Sequence, residues 1–237
     1  MLTVDFDRFP IIPGQRVLDL GAGGGRHSFA LLRKGARVVA LDYSMAEVES
    51  ATAMFGAMRE AGEVPADAEA AGVRADAYRL PFPDSTFDLI IAAEVLEHLH
   101  DDGRAYAELS RVLKPGGRIA VTVPRWFPEK VCWMLSDAYH EVEGGHIRIY
   151  QRRQVLDRLR RVGLRPYATH HAHALHSPYW WLKCALGVDN DQAAPVRMYH
   201  KLLVWDIMKG PKLTRMGEAA LNPVLGKSLV VYATKSR

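Results

Sequence analysis

The stretch VLDLGAGGGRHSFALL, residues 17–32, constrains the fold more than any other. Val17 and Leu18 lead in as a buried strand does, and Asp19 stands near its end. Gly21, Gly23, Gly24 and Gly25 then make a turn with almost no side chain, and Phe29, Leu31 and Leu32 begin a helical pattern. Strand, glycine loop and helix together open a nucleotide-binding βαβ unit.

Which nucleotide follows from the flanking residues. A dinucleotide fingerprint G-x-G-x-x-G starting at Gly21 needs glycine at position 26, where Arg26 stands. No Lys-Ser/Thr pair follows the glycines, so the loop is not a P-loop. Asp19 is awkward beside a pyrophosphate but suits a ligand carrying an ammonium group. Asp42 ends the second apolar run, 21 residues after Gly21, where a carboxylate can accept from both hydroxyls of a ribose. Asp76, followed by Ala77, ends the presumed third strand and can accept from an adenine amino group. The ligand is then a nucleoside with a cationic amino-acid tail and no phosphate, the composition of S-adenosylmethionine.

Along the chain, short apolar runs alternate with helical stretches. RVLDL, ARVVALDYS, a short strand within GVRADAYRL, FDLIIAAEV, RIAVTVP, LRPYATHHAHAL and SLVVYATK read as seven strands. Helices fall after the glycine loop, over residues 45–62 and over DGRAYAELSRVLK, which Lys114-Pro115-Gly116-Gly117 is expected to stop sharply. The pattern predicts an α/β, Rossmann-like, mostly parallel seven-stranded sheet with helices on both faces. Residues 125–147 and 176–226 break the alternation, look helical and are rich in aromatics, so they are expected as lid insertions on a single domain spanning 1–237.

The chain has 237 residues, 49% hydrophobic and 24% charged, enough for one well-buried α/β domain. No run of 18 apolar residues suggests a membrane span, and the N-terminus, with Asp5 and Asp7, does not read as a signal peptide. Cys132 and Cys184 have no metal-like spacing and are expected as reduced thiols in a cytoplasmic protein. The net charge of +4 is partly gathered in HIRIYQRRQVLDRLRRVGLR, a basic amphipathic helix. Its plain reading is a core helix with a solvated face; its alternative is contact with anionic lipid, nucleic acid or an acidic partner, the lipid contact being peripheral.

At the level of motifs the sequence resembles the class I S-adenosylmethionine-dependent methyltransferases, in the small-molecule branch that includes quinone-biosynthesis enzymes. VLDLGAGGG is similar to the first motif of that family and ALDYS to its acidic second-strand motif. ADAYRLPFPDSTFDLIIAAEVLEHL is similar to its adenine turn and fourth strand, and LSRVLKPGGRIAVTVP to its fifth. The match covers about residues 14–165. The resemblance implies that Asp19 and the Gly21, Gly23 and Gly25 backbone hold the methionine end. It implies also that Asp42 binds the ribose, that Tyr43 or Met45 packs on the adenine, that Asp76 and Ala77 read its edge, and that Glu94 stands near the sulfonium.

Methyl transfer from a sulfonium asks for alignment and exclusion of water, and an alcohol acceptor benefits from a general base. AAEV stands where enzymes that methylate base or amide nitrogens carry Asn/Asp-Pro-Pro-aromatic, and no basic domain is appended, so a nucleic-acid acceptor is disfavoured. His146 is the expected base, with a loop-fixing hydrogen bond as its alternative reading, and Glu94 is expected to steer the cation, hold the acceptor or bind a metal; His98 is expected to tie its helix to a neighbouring loop. In HHAHALH, His171 and His173 share a face if the run is a strand, a pattern read as structural with metal or acceptor binding as the alternative. No carboxylate spacing marks a metal site, and a divalent cation such as Mg²⁺ is kept as an accessory possibility. The expected activity is O-methylation of a small-molecule hydroxyl, a carbohydrate or polyol by the aromatics of the lid segments. The alternatives are C- or O-methylation of a quinone or lipid-like precursor, or non-catalytic binding of S-adenosylmethionine. Oligomeric state is not legible.

Overall fold

Apolar side chains at successive positions of one strand can be buried only if both faces of the sheet are covered. In β1 (Arg16–Leu20), Val17 packs into one core and Leu18 and Leu20 into the other. The computed structural model, which describes residues 2–142 and 144–236, builds a seven-stranded sheet around this strand. The order is β3-β2-β1-β4-β5-β7-β6, with β2 Arg37–Asp42, β3 Glu69–Arg74, β4 Phe87–Ala93, β5 Leu113–Pro124, β6 Leu164–Ala172 and β7 Ser228–Lys235. All pairings are parallel except those of β7, which runs antiparallel between β5 and β6.

Helices α1 (Arg26–Arg33) and α2 (Met45–Glu60) cover one face through Leu31, Leu32, Ala51 and Phe55. Helices α3 (Asp102–Val112) and α5 (Arg152–Arg161) cover the other through Tyr106, Leu109, Val155 and Leu159. The arginine-rich segment is therefore a core-packing helix. Its Arg158 and the preceding Arg148 pair with Asp102, each at 3.1 Å. The two segments outside the alternation are helical. The first holds α4 (Trp126–Leu135) and a single 3-10 turn at Asp137–Tyr139; the second holds α6 (His176–Leu186), α7 (Ala194–Lys209) and α8 (Lys212–Leu225). Cys132 and Cys184 are free, buried and in contact where α4 meets α6. No helix among the described residues is long and apolar enough to cross a membrane.

Three expectations need correction. The third strand lies at Glu69–Arg74, ahead of most of GVRADAYRL, and residues 75–80 form the turn after it. It is an edge strand whose pairing to β2 supplies what EAAGVR lacks in β-branched residues. Its Gly72 lets α2 close in, since a Cβ there would lie 2.3 Å from Thr52 Oγ1. The helix expected to run to Lys114 ends at Val112, and Lys114–Gly117 lies within β5: pairing starts with Leu113 opposite Phe87, slips, and continues with Arg118 opposite Leu89. Finally, β6 ends at Ala172, and His173 turns out of it with φ +66°, so His171 and His173 do not share a strand face.

The strand order reverses between β1 and β4, and the carboxyl ends of these two strands open a crevice there. The glycine loop leaves β1 into this crevice, and Glu94 leaves β4 into it.

Candidate active site

The crevice holds a cleft of about 410 Å³ lined by Gly21, Asp42, Tyr43, Asp76, Ala77 and Tyr78, with Val95, His98 and Leu99 opposite. Asp42 is held rigidly: Oδ2 accepts from the Gly23 amide at 2.9 Å and Oδ1 from Ser44 at 2.9 Å. Asp76 Oδ1 accepts from the Tyr78 amide at 2.9 Å. Each carboxylate keeps further lone pairs for hydroxyl or amino donors. The lining contains two carboxylates and no Lys or Arg, with Leu20, Leu41 and Ala75 adding apolar surface. That pair of acceptors repels phosphate and fits the hydroxyl and amino donors of a nucleoside, so the chemistry of the cleft agrees with S-adenosylmethionine. Among the residues expected to bind it, Gly21, Asp42, Tyr43, Asp76 and Ala77 are brought together here. Asp19 is buried at the end of β1, where its Oδ2 accepts from Ser28 Oγ at 2.7 Å. Burial pushes its carboxyl up to about 6, against the Ser28 hydrogen bonds and the Arg26 charge.

Beyond His98 the crevice opens into a chamber of about 260 Å³ lined by Glu94, Tyr139, Gly145, His146, Trp180 and Lys227. His98 lines both spaces. Its Nδ1 lies 3.1 Å from the Gly145 carbonyl. A carbonyl only accepts, so Nδ1 carries the proton and Nε2 is left with a lone pair. This contact ties the 3-10 turn Leu96–His98 to the loop at Gly145, a spatial neighbour 47 residues along the chain, in line with the tethering role expected of His98. Glu94 adopts φ +55°, a conformation that costs a non-glycine residue energy, and its Oε1 accepts from Thr122 Oγ1 at 2.6 Å.

His146 reaches the chamber with a carboxylate behind it. Its Nδ1 lies 2.5 Å from Glu129 Oε1. Glu129, wholly buried on α4, also accepts from Trp133 Nε1 and the Tyr139 hydroxyl at 3.3 Å each and from Lys227 Nζ at 3.4 Å. Burial works against its charge, but the His146 and Lys227 contacts outweigh burial and hold the carboxyl at about 2. An ionised carboxylate at Nδ1 fixes the imidazole's orientation and tautomer, leaving Nε2 as the acceptor. Trp180 is one of the lid aromatics read in the sequence as able to grip an acceptor, whereas Glu129, Tyr139 and Lys227 were not singled out as site residues there. The one signal for Glu129 was a lone acid among aromatics in RWFPEK, four residues before Trp133.

Among the described residues, two groups of side chains can gather a cation. Glu97, His98 and His146 have ligand atoms within 4.8 Å of one another, as do His173, His176 and Glu218. Neither Glu97 oxygen has a hydrogen-bond partner, and burial, with the Glu94 charge, pushes its carboxyl well up.

With this geometry in hand, residues 18–121 match a family model described as a methyltransferase domain. This segment, under half of the chain, is similar to that methyltransferase-domain family. A demethylmenaquinone methyltransferase from Thermobifida fusca (strain YX) is 42% identical over 111 residues, 46% of this chain and 43% of that protein. A 27-O-demethylrifamycin SV methyltransferase from Amycolatopsis mediterranei (strain S699) is 29% identical over 174 residues, 72% of this chain and 61% of that protein. The chain thus spans less than half the length of the first relative. A solved structure from Bacillus halodurans C-125 shares the fold, with a TM-score of 0.63 at 18% identity over 98% of this chain and 97% of its own. The cleft lies inside the matched methyltransferase domain. Glu129, Tyr139, His146, Trp180 and Lys227 all lie beyond it, in the part of the chain that shapes the chamber.

Proposed function

We propose that this protein transfers a methyl group from S-adenosylmethionine to a hydroxyl of a small molecule, with His146 as general base. The observation that carries the reading is the Glu129–His146 pair, which opens onto a chamber sharing His98 with the nucleoside cleft. When bound, the cofactor supplies a methyl group on a positively charged sulfur, already primed to leave. Asp42 and Asp76 would hold its nucleoside, and Asp19 and the glycine loop its amino-acid end. In the chamber, Tyr139 and Trp180 offer flat apolar faces to the acceptor's body, while Glu94 and Lys227 offer polar contacts at its rim. His146 Nε2 accepts the hydroxyl proton, and the Glu129 carboxylate steadies the imidazolium that results. The two relatives named above act, by their names, on demethylmenaquinone and on 27-O-demethylrifamycin SV; the flat apolar faces of Tyr139 and Trp180 support an acceptor with an apolar body over a simple polyol.

The same base serves carbon methylation of a quinol, where loss of a hydroxyl proton makes the neighbouring carbon nucleophilic. The identity to demethylmenaquinone methyltransferase favours this second reading. Transfer of a deuterated methyl group, with the product's attachment read by NMR, separates oxygen from carbon. His146→Ala should keep cofactor affinity by calorimetry and lose roughly 10²–10⁴-fold in turnover; unchanged turnover removes His146 as base. Loss of turnover on chelation, restored by Mg²⁺ and abolished by Glu97→Gln, would transfer the role to a cation held by Glu97, His98 and His146. Saturable binding with no turnover on hydroxyl or quinol acceptors would leave a non-catalytic binder.

A further inference from the structure

An amphipathic helix on a globular protein normally turns its apolar stripe inward. Helix α8 does the reverse. Leu213, Met216 and Val224 fall on one stripe at the helical repeat and are 82%, 71% and 62% exposed. The opposite side carries Glu218, which is 7% exposed and pairs with His173 and Arg215. Helix α7 continues the pattern. Its inward line is Val196, Leu203 and Asp206, all buried. The opposite, outward side carries Met198, Leu202, Trp205 and Met208, interleaved with Arg197, Lys201 and Lys209. The only acidic residues in the two helices are Asp206 and Glu218, and both are turned inward. What faces outward is therefore apolar and cationic together.

We propose that α7 and α8 form a platform that docks on an anionic lipid bilayer, with the Leu213–Met216–Val224 stripe and Trp205 entering the interface. Charge complementarity decides the occupant. A second copy on this face would oppose Arg197, Lys201, Lys209 and Lys212 with the same four cations, whereas anionic headgroups neutralise them. Trp, Met and Leu among Lys and Arg are the composition of helices that lie in the membrane interface. The arginine-rich α5 does not take this role, because Val155, Leu156 and Leu159 are buried and Arg158 and Arg160 are paired within the protein. Ile207 of α7 also lines a cavity of about 300 Å³ that shares Glu94, Trp180 and Lys227 with the chamber, so docking sets that cavity beside the lipid. The docking does not rest on the methyl-transfer reading, and its test needs no turnover.

The test is co-sedimentation of the full chain with phosphatidylglycerol–phosphatidylcholine vesicles and with phosphatidylcholine alone. The protein should partition onto the anionic vesicles and be released at about 0.5 M salt, where screening shortens to a few ångström. Leu213→Asp combined with Met216→Asp should weaken the partition by roughly tenfold or more. Lys201→Glu with Lys209→Glu should do the same, and Arg153→Glu with Arg161→Glu on α5 should not. These exposed positions leave the thermal midpoint as a check on folding. No partition onto anionic vesicles, or partition untouched by the α8 pair, overturns the proposal. So does a dimer in analytical ultracentrifugation that the α8 pair dissociates while vesicle binding is absent.

Discussion

Asp42 does two things with one carboxylate: it anchors the glycine loop through Gly23 and presents its remaining lone pairs to the cleft. Asp42→Ala should weaken S-adenosylmethionine binding by roughly 1.5–3 kcal/mol, about ten- to a hundredfold in calorimetry; unaltered affinity would rule the ribose role out. Asp19 makes a different bargain. Its ordinary value is near 3.8, and burial raises it to about 6 in the folded chain. The folded state therefore holds a proton that the unfolded chain has released, and the stability this brings is complete below about pH 4 and lost as pH rises through 6. The difference amounts to roughly 3 kcal/mol above pH 7. Arg26 moderates the penalty and Asp42 adds to it. Asp19→Asn keeps an acceptor for Ser28 without the charge. It should unfold at higher temperature than the wild type at pH 8, with the gap closing by pH 4, and should bind S-adenosylmethionine more weakly at pH 8. A gap that persists at pH 4 would show that burial of the charge is not its cause. A buried carboxylate that costs stability is the pattern expected of a functional group.

At the scale of elements, the glycine loop works because α1 begins in a conformation closed to other residues. Gly25, its N-cap, has φ +79°, and a Cβ there would sit 2.6 Å from the Phe29 ring. Gly25→Ala combines a left-handed backbone, at roughly 1–2 kcal/mol, with displacement of Phe29 from its edge contact to Phe55. It should lower stability in urea titrations by roughly 2–3 kcal/mol or more and weaken cofactor binding with it; a neutral change would mean the loop re-forms around the new side chain. This element was readable from residues 17–32 because turn chemistry and helical period are local properties. Central strands such as FDLIIAAEV were readable for a related reason, since burial on both faces writes itself as a continuous apolar run. Edge strand β3 was not, because its pairing partner, and not its own composition, makes EAAGVR a strand. The end of β6 was hidden likewise: nothing local in HHAHALH says that His173 must turn out to meet Thr3, which lies 170 residues away and 3.0 Å from its Nε2.

Over the whole molecule, the chamber depends on a choice of strand direction. Because β7 runs antiparallel, its beginning rather than its end lies at the carboxyl edge of the parallel strands, where Ser228 pairs with Pro124. That reversal carries Lys227 to Glu129, across 98 residues of sequence. SLVVYATK announces a strand but not its direction or neighbours, so the pair was out of reach of sequence patterning, whereas Asp42 ends, and Asp76 closely follows, strands whose order the motifs already imply. Lys227 is 16% exposed in its side chain, packs over Tyr139 and Trp180, and joins the segment after β5 to the end of the chain. Its loss leaves the buried Glu129 charge with the His146, Trp133 and Tyr139 contacts and without its lysine. Lys227→Met should therefore cost roughly 3 kcal/mol and lower the thermal midpoint by roughly 6–12 °C. Glu129→Gln, which keeps an oxygen for His146 but removes the charge, strands the ammonium and should cost a similar amount. With both charges gone, neither partner pays to be buried alone. The double variant should then be more stable than the sum of the single losses predicts, by roughly 1–3 kcal/mol in a double-mutant cycle. Strict additivity would mean that water already screens the pair, and that the approach of Lys227 to Glu129 is a consequence of the fold and does not help to hold it.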